Sequence, residues 1–339
     1  MDTTTLPGTQ SAKHTNAAGV LTGLHHVTAI TASAAENVRF YTRTLGMRLT
    51  KKSVNQDDVT AYHLFYGDAV ASPGSELTFF DWAHAAPRRR GAGTVASTGL
   101  RVGSEQALEW WARRLTSAGV THGDIAEENG RAVLRFLDPE GQSLVLVDDR
   151  GLANGIAWGA DEIVREHGVK GLGPATIEVA DPRAMISFLR DVLGFRQVNE
   201  YATRTSPDVG EDATVLVLAT ADGDVDAQLH LAVRRGVARG RFGRGGVHHV
   251  ALRTPTEATH SAWRERIDDA GFQVTPVIDR FYFRSIYFMT PSGVLFEIAT
   301  DGPGMTADEP LDHLGERLSL PPFLEGRRAE IEKGLIPLE

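Results

Sequence analysis

The apolar and polar residues of this chain follow a pattern that repeats four times. In the first repeat, alternation with a period of two predicts a strand at 24–30. Val38, Tyr41 and Leu45 then follow the spacing of one helix face, and Gly46 stands where helices commonly end. Three further strand-like segments reach residue 82, so the predicted order of elements is β-α-β-β-β.

The same order recurs along the rest of the chain. The later helices are predicted at 105–118, 182–192 and 256–270. In the second repeat only two strands are predicted after the helix, at 133–137 and 143–147. Repeats of about fifty to sixty residues constrain a fold more strongly than local propensity does. Since one such unit has a sheet face that it cannot bury alone, we expect the units to pair.

The segments outside the repeats set the expected domain limits. Residues 1–20 are rich in Thr, Ala and Gly and lack an apolar h-region, so we expect a disordered leader rather than a signal peptide. We expect repeats one and two in residues 21–150, a Gly-rich linker at 151–170 and repeats three and four in 171–300. A tail at 301–339, with a charged helix near 325–333, should pack across the surface.

Composition limits the classes of function. Of 339 residues, 42% are hydrophobic and 23% charged, which is typical of soluble globular proteins. No apolar run approaches the ~18 residues of a membrane span, so we expect no membrane partner. The absence of cysteine excludes disulfides, thiolate ligands and a cysteine nucleophile, and fits a cytoplasmic protein. A net charge of -9 argues against nucleic-acid binding; we interpret the arginine runs at 88–90 and 234–244 as solvated loops.

Two strand segments with the same core sequence carry the candidate chemistry. His25-His26-Val27 in the first repeat returns as His248-His249-Val250 in the fourth. Because side chains alternate along a strand, the two histidines of each pair point to opposite faces. If the valines pack against the helices, His26 and His249 both face the concave side of their sheets.

Glu297 is predicted to face the same concavity. Val294, Phe296 and Ile298 form the apolar face of its strand, so Glu297 points the other way. An unpaired carboxylate in such a strand costs several kcal/mol, and a metal ion is a common remedy. Two imidazoles, one carboxylate and open positions form the facial ligand set of non-haem Fe(II) oxygenases.

The repeated placement of these residues favours a metal site. Taken singly, each is better explained as an ordinary strand histidine or a paired acid. The first strands of repeats two and three hold no histidine, and Thr78 takes the position of Glu297 in repeat one. Repeat one therefore offers His26, and repeat four offers His249 and Glu297. Only pairing of repeat one with repeat four collects all three ligands, which leaves repeats two and three as a second pair.

Several short motifs, in their order and spacing, resemble one family. They are Leu24-His25-His26-Val27-Thr28, Tyr62-His63-Leu64, Ser72-Pro73-Gly74, His248-His249, Thr290-Pro291-Ser292-Gly293-Val294, Phe296-Glu297, Leu320-Pro321-Pro322 and Arg327-Arg328. The chain resembles the vicinal oxygen chelate superfamily, also called the glyoxalase/bleomycin-resistance/extradiol dioxygenase group. Within it, the chain looks like the ring-cleaving dioxygenases of hydroquinones, including chlorinated ones. The resemblance covers residues 23–338. It implies an α+β fold in which four βαβββ modules pair into two half-barrel domains, module one with four and two with three.

The resemblance also implies roles for individual residues. The positions that match His26, His249 and Glu297 hold iron in that family. Pocket roles, or roles next to the ligands, are implied for His25, Thr28, His248, Arg280 and Tyr287. The alternatives are a surface position for Arg280 and a buried strand position for Tyr287.

Two of these implied roles meet a geometric difficulty. His25 and His248 lie on the pleat opposite to the ligands, so contact with a substrate requires a local twist or a bulge. A further histidine, His63, fits either a core position or one beside the ligands. The identity of the catalytic acid or base therefore stays open between Tyr287 and a pocket histidine.

The expected function is that of an Fe(II)-dependent extradiol-type dioxygenase that cleaves hydroquinone-like or catechol-like diols with O2. Mn(II) is an alternative metal, because the same ligands accept it, and a homodimer is compatible with the sequence. A glyoxalase-type lyase or isomerase with Zn²⁺ or Ni²⁺ is a rival function. Thr78, at the position of the second carboxylate of glyoxalases, counts against it. A metal-free binding protein on the same fold is another rival, which the His/His/Glu set opposes.

Overall fold

The computed structural model describes residues 18–159, 163–204, 206–207, 212–220 and 223–338. Nearly all of the predicted leader, residues 1–20, lies outside the described residues. The limits predicted at residues 150, 170 and 300 stay predictions.

The first and fourth repeats have the predicted order of elements. Repeat one consists of β1 (Leu24–Thr31), α1 (Ala34–Arg39) with a π-helical turn (Phe40–Thr44), β2 (Arg48–Asn55), β3 (Asp58–Gly67) and β4 (Glu76–Asp81). Repeat four consists of β13 (Gly246–Thr254), α4 (Glu257–Asp269), β14 (Ile278–Asp279), β15 (Arg284–Met289) and β16 (Leu295–Thr300).

The second and third repeats lie between them in the chain. Repeat two consists of β5 (Thr94–Val102), α2 (Glu105–Ser117), β6 (His122–Glu128), β7 (Arg131–Leu137) and β8 (Ser143–Asp148). Repeat three consists of β9 (Gly171–Val179), α3 (Arg183–Ser187) with a π-helical turn (Phe188–Val192), β10 (Arg196–Thr203), β11 (Ala213–Ala219), a 3₁₀ turn (Val225–Ala227) and β12 (Gln228–Val233).

The strands form two sheets of eight. One has the order β14-β15-β16-β13-β1-β4-β3-β2, and the other has the order β10-β11-β12-β9-β5-β8-β7-β6. Repeat one therefore shares a sheet with repeat four, and repeat two with repeat three. Both pairings, and the α+β class with four βαβββ modules, are confirmed.

Helix α2 shows why the repeats fold this way. The Ser104 side chain accepts a hydrogen bond from the Ala107 backbone N–H and begins the helix. Leu108, Trp111 and Leu115 share its buried face and join the main core. Among the described residues, none of the helices combines the length and apolar character that crossing a bilayer requires.

Strand β6 is the element that the hydrophobic pattern does not predict. It is an edge strand, and only Glu128 among its seven residues is buried. A strand that buries so little side-chain surface shows no apolar alternation, and its pairing with β7 alone places it in the sheet.

The two arginine-rich segments run beside each other. Isolated bridges join Pro87 to Arg244 and Arg89 to Arg241. The Arg234 guanidinium lies 2.9 Å from a Glu178 carboxylate oxygen. These segments are thus paired connections between repeats, with several exposed positions, rather than freely solvated loops.

The tail contacts the first repeat through a buried cation. It contains 3₁₀ turns (Met305–Ala307 and Leu311–His313) and two helices, α5 (Pro322–Glu325) and α6 (Arg328–Gly334). The fully buried Lys51 Nζ lies 2.7 Å from Asp308 Oδ1 and also contacts Glu309 Oε2.

Candidate metal centre

Three buried side chains from three strands converge in the first sheet. His26 Nε2 lies 3.2 Å from His249 Nε2. Glu297 Oε2 lies 3.0 Å from His249 Nε2 and 3.3 Å from His26 Nε2. Among the described residues, this is the one group of three or more His, Asp or Glu side chains whose donor atoms lie this close together.

The strand register produces this convergence. Antiparallel β1 and β13 place His26 opposite Ala251 and Thr28 opposite His249. Parallel β13 and β16 then place Ala251 beside Glu297. Since the pairing of β1 with β13 is nearly symmetric, an approximate two-fold axis between these strands relates His26 to His249.

Two β-bulges explain the doubled histidines. The β1–β13 register shifts between Leu24 and His26, and again between Thr28 and Ala29, so His25 and His248 are the extra residues. Their Nδ1 atoms lie 2.9 Å and 2.8 Å from the Nδ1 atoms of His26 and His249, respectively. The bulges turn His25 and His248 towards the ligand imidazoles, and neither lines the cavity.

The hydrogen bonds of His25 fix the tautomer of His26. His25 Nε2 lies 3.1 Å from the Thr300 carbonyl oxygen, which can only accept, so Nε2 carries the proton. Burial, with the charge of His26, lowers the pKa of His25 to about 3. A neutral His25 therefore accepts the Nδ1–H of His26, and the lone pair of His26 Nε2 points at Glu297 and His249.

His248 is placed in the same way behind His249. Burial, with the charge of His249, lowers its pKa to about 4 and keeps it neutral. Its ring makes edge contacts with Phe80, Trp82 and Phe242 at centroid distances of 5.5, 5.6 and 5.8 Å.

Glu297 is a buried carboxylate with one unsatisfied oxygen. Ser285 Oγ donates a short hydrogen bond to Oε1, whereas Oε2 has no hydrogen-bond partner. Although burial opposes it, the proximity of His26 and His249 holds the pKa of Glu297 well below its ordinary value.

The donor atoms fit a divalent cation. A cation about 2.1 Å from each donor, with bonds near 90° apart, would space the donors about 3 Å apart. The observed separations are 3.0, 3.2 and 3.3 Å. His26, His249 and Glu297 are thus spaced as the ligands of a single cation would be, and they suit a metal.

A cavity opens beside the three residues, and its wall is largely aromatic. Its other lining side chains include His63, Phe65, Phe80, Tyr282, Phe283, Arg280 and Tyr287. Tyr287 lies opposite Glu297 across β15 and β16. Burial, with the charge of Glu297, raises the pKa of Tyr287 and keeps its phenol protonated.

Arg280 is held beside Tyr287. Its Nε lies 3.3 Å from the Tyr287 hydroxyl, and its guanidinium carbon lies 5.4 Å from the ring centroid. Asp57 Oδ2 accepts from Arg280 Nη2 at 2.9 Å. Burial opposes protonation, but the contacts with Tyr287 and Asp57 raise the pKa of Arg280. A permanent cation therefore faces the cavity.

Thr28 lies behind the cavity rather than in its wall. Its hydroxyl lies 2.8 Å from that of Thr78, and Thr78 Oγ1 lies 3.0 Å from His63 Nε2. Burial, with the charges of His26 and His249, holds the pKa of His63 well below its ordinary value. Of the two positions left open for His63, the structure favours the one beside the ligands.

Ser285 was not predicted from the sequence. Strand alternation contains a signal for it, because Ser285 is two residues from Tyr287 on β15 and shares its face. Ser285 and Glu297 thus point into the same space.

The second sheet has the same architecture without the ligand set. There Ser97 pairs with Thr176, and Thr176 lies beside His230, just as Ala251 lies beside Glu297. Ser97 thus takes the position of His26, and His230 that of Glu297. His230 bonds to the Tyr201 hydroxyl at 3.0 Å and to Gln228 Oε1 at 3.1 Å, so both of its nitrogens have partners.

Comparisons with known proteins agree with this architecture. The model of the glyoxalase/bleomycin resistance protein/dioxygenase superfamily matches residues 23–146 and 171–298. MhqA of Bacillus subtilis (strain 168), provisionally named a ring-cleaving dioxygenase, is 43% identical over 318 residues, which cover 94% of this chain and 99% of MhqA. A chlorohydroquinone/hydroquinone 1,2-dioxygenase of Sphingobium indicum is 30% identical over 319 residues, with 91% of this chain and 94% of that protein covered.

A solved structure extends the likeness to the whole architecture. The crystal structure of a provisionally named dioxygenase from Bacillus subtilis superposes with a TM-score of 0.84 at 35% identity, and covers 94% of this chain and 98% of that one. The chain belongs to the glyoxalase/bleomycin resistance protein/dioxygenase superfamily.

Proposed function

We propose that this protein is a metal-dependent ring-cleaving dioxygenase that acts on hydroquinone-like aromatic diols with O2. The observation that carries the proposal is the set of donor atoms of His26, His249 and Glu297, with the His26 lone pair directed inwards by His25. The names of MhqA and of the Sphingobium enzyme support the reaction class and the diol substrate.

Fe(II) is the proposed metal, with Mn(II) as the alternative that the same ligands accept. Two neutral imidazoles and one carboxylate leave a divalent cation with one net positive charge, which suits an anionic phenolic oxygen. When bound, the metal would supply the path for electron transfer between the aromatic ring and O2.

The protein's own residues bind and orient the diol. The rings of Phe80 and Phe283 lie near the ligand histidines and provide apolar walls for an aromatic ring while they exclude water. The protonated Tyr287 hydroxyl is placed to donate a hydrogen bond to a substrate oxygen. Arg280 would stabilise negative charge as it develops there.

The proposed cleavage is of the extradiol type. The bond between a hydroxyl-bearing ring carbon and its unsubstituted neighbour breaks, and both atoms of O2 enter the ring-opened product. A hydroquinone carries its hydroxyls on opposite ring carbons, so every bond next to a hydroxyl-bearing carbon is of this kind. Catechols are the second class of diol that the cavity is proposed to take.

Two observations weigh against the rival functions. Thr78 takes the place of a second carboxylate, and its hydroxyl bonds to Thr28 and His63 instead of completing a four-ligand glyoxalase-type site. A metal-free binding protein would have no use for three buried donor atoms that converge within 3.3 Å of one another. We also propose a cytoplasmic location, and the homodimer stays a prediction.

Metal analysis of ligand variants tests the site. After anaerobic reconstitution with Fe(II), the wild-type protein should hold about one iron per chain, and His26→Ala, His249→Ala and Glu297→Gln should each lose most of it. His230→Gln, at the matching position of the second sheet, is the control and should keep its iron. Variants that retained iron and cleaved hydroquinone at the wild-type rate would exclude this site.

A further inference from the structure

The two-fold relation of the site extends beyond the ligands. Thr28, two residues after His26, lies beside Thr78 on β4. Ala251, two residues after His249, lies beside Glu297 on β16. The axis that relates His26 to His249 therefore relates Thr78 to Glu297. The side of the site opposite Glu297 has a short hydroxyl in place of a carboxylate.

The same two-fold relation holds for the neighbouring strands, β3 beside β4 and β15 beside β16. Thr78 pairs with Phe65 on β3, and Glu297 pairs with Tyr287 on β15. Two residues earlier on each strand stand His63 and Ser285. Ser285 donates to Glu297, and His63 Nε2 bonds to Thr78 Oγ1 at 3.0 Å. Equivalent positions on the two sides of the site are therefore joined by a hydrogen bond. On the Thr78 side this bond holds an imidazole.

The hydroxyl chain behind His63 has a preferred direction. Thr28 Oγ1 has one hydrogen-bond partner among the described residues, Thr78 Oγ1 at 2.8 Å. If Thr28 donates to Thr78 and Thr78 donates to His63 Nε2, every hydroxyl proton has an acceptor. In the reverse direction the fully buried Thr28 would keep a proton without an acceptor, which is costly. The favoured direction leaves the His63 proton on Nδ1.

Of the three hydrogen-bonded residues Thr28, Thr78 and His63, His63 is the one that faces the cavity. It lines the same wall as His26 and His249, whereas Thr28 and Thr78 do not. Its ring packs on Phe65 and Phe80 at centroid distances of 3.9 and 4.5 Å. Its Nδ1 has no hydrogen-bond partner within the described part of the chain. The neutral Nδ1–H group of His63 thus faces the cavity from the Thr78 side of the site, opposite Glu297.

We infer that His63 is a further catalytic residue, whose Nδ1–H donates a hydrogen bond to the diol oxygen that lies against His26, His249 and Glu297. This role rests on the proposed function for the identity of the ligand. Thr28 and Thr78 are positioning residues that hold the donor tautomer. An anionic phenolic oxygen is the chemical partner that such a donor favours, since hydrogen bonds to ionised acceptors are about twice as strong as neutral ones.

Binding measurements without turnover test the contact. Hydroquinone and phenol are titrated into the Fe(II)-loaded protein in the absence of O2. His63→Leu should weaken the binding of both about tenfold or more, because each loses a hydrogen bond to an ionised oxygen. His63→Gln, which keeps an amide donor, should recover part of the affinity. Iron content should stay at the wild-type level in both variants, and His230→Gln should bind like wild type.

A second measurement requires neither metal nor substrate. Nitrogen-15 NMR of the metal-free protein with labelled histidine should show the His63 proton on Nδ1, and Thr28→Val should produce a mixture of both tautomers. A proton on Nε2 in the wild-type protein would overturn the inference. So would unchanged affinity of His63→Leu, or a loss confined to hydroquinone, which would place His63 at the far hydroxyl.

Failure of the proposed function has a different signature. A wild-type protein that bound no iron and consumed no O2 with hydroquinone would overturn that function and, with it, the diol contact, even if the Nδ1–H tautomer were found. An active wild-type enzyme with a fully active His63→Leu variant would overturn the role of His63 alone.

Discussion

His25 Nδ1 lies 2.9 Å from His26 Nδ1, and the other ring nitrogen of His25 lies 3.1 Å from the Thr300 carbonyl oxygen. This relay turns the lone pair of His26 towards His249 and Glu297. A partner of this kind orients a ligand imidazole and increases its basicity, and its loss typically costs 10–100-fold in metal affinity.

His25→Ala should therefore weaken Fe(II) binding by roughly 10–100-fold. His25→Gln should bind more tightly than His25→Ala, since its amide can accept from His26 and donate to Thr300. Competition with a chelator under anaerobic conditions measures the affinity, with His230→Ala as the control. Equal affinities for wild type and His25→Ala would show that the relay does not support the metal.

Tyr287→Phe should reduce turnover with the iron content unchanged. The phenol is the protonated donor beside Arg280, and loss of a positioned proton donor or acceptor typically costs 10²-fold or more. Steady-state kinetics with hydroquinone, beside metal analysis, separates this from loss of iron. A kcat within twofold of wild type would remove Tyr287 from the mechanism.

Acid should destabilise the protein partly through His230. Burial, with the charge of Arg135, lowers its pKa from 6.5 to about 3, so the unfolded chain binds a proton that the folded chain does not. The contribution of His230 to the free energy of unfolding is complete above pH 6.5. It falls as the pH drops towards 3, by up to about 1.4 kcal/mol per pH unit. In denaturant titrations, His230→Gln should show a shallower fall across that window. If the free energies of unfolding of the wild-type protein and His230→Gln fell equally with decreasing pH, the acid sensitivity would not come from His230.

Lys51→Met should destabilise the fold by about 3–5 kcal/mol, because the partly buried Asp308 loses its cation and the buried Glu309 keeps only a 3.7 Å contact with Arg317 Nε. The double variant Lys51→Met/Glu309→Gln should be more stable than Lys51→Met alone. Lys51 Nζ also lies 4.9 Å from the ring centroid of Tyr282, which lines the cavity. Urea unfolding curves of the wild-type protein, Lys51→Met and the double variant measure both stability differences. A loss below about 1 kcal/mol for Lys51→Met would show that the tail is not held by this pair.

Much of the candidate site could be predicted from strand alternation. It places His26, His249 and Glu297 on one face, and the position of Thr78 predicts which repeats must pair. Alternation could not predict that His25 and His248 reach the ligand imidazoles, because a bulge breaks the period of two. The hydroxyl chain from Thr28 through Thr78 to His63 depends on contacts between three strands, which no local pattern contains.

The stoichiometry of O2 consumption with hydroquinone tests the central claim most directly. The Fe(II)-reconstituted protein should consume one O2 per hydroquinone and give a ring-opened product without aromatic absorbance, and Glu297→Gln should give neither. Catechol would show whether vicinal diols are also cleaved, and consumption of a methylglyoxal–glutathione adduct without O2 would indicate the glyoxalase-type reaction. Conversion of hydroquinone to benzoquinone, or an unchanged aromatic ring after O2 exposure, would contradict ring cleavage at this site.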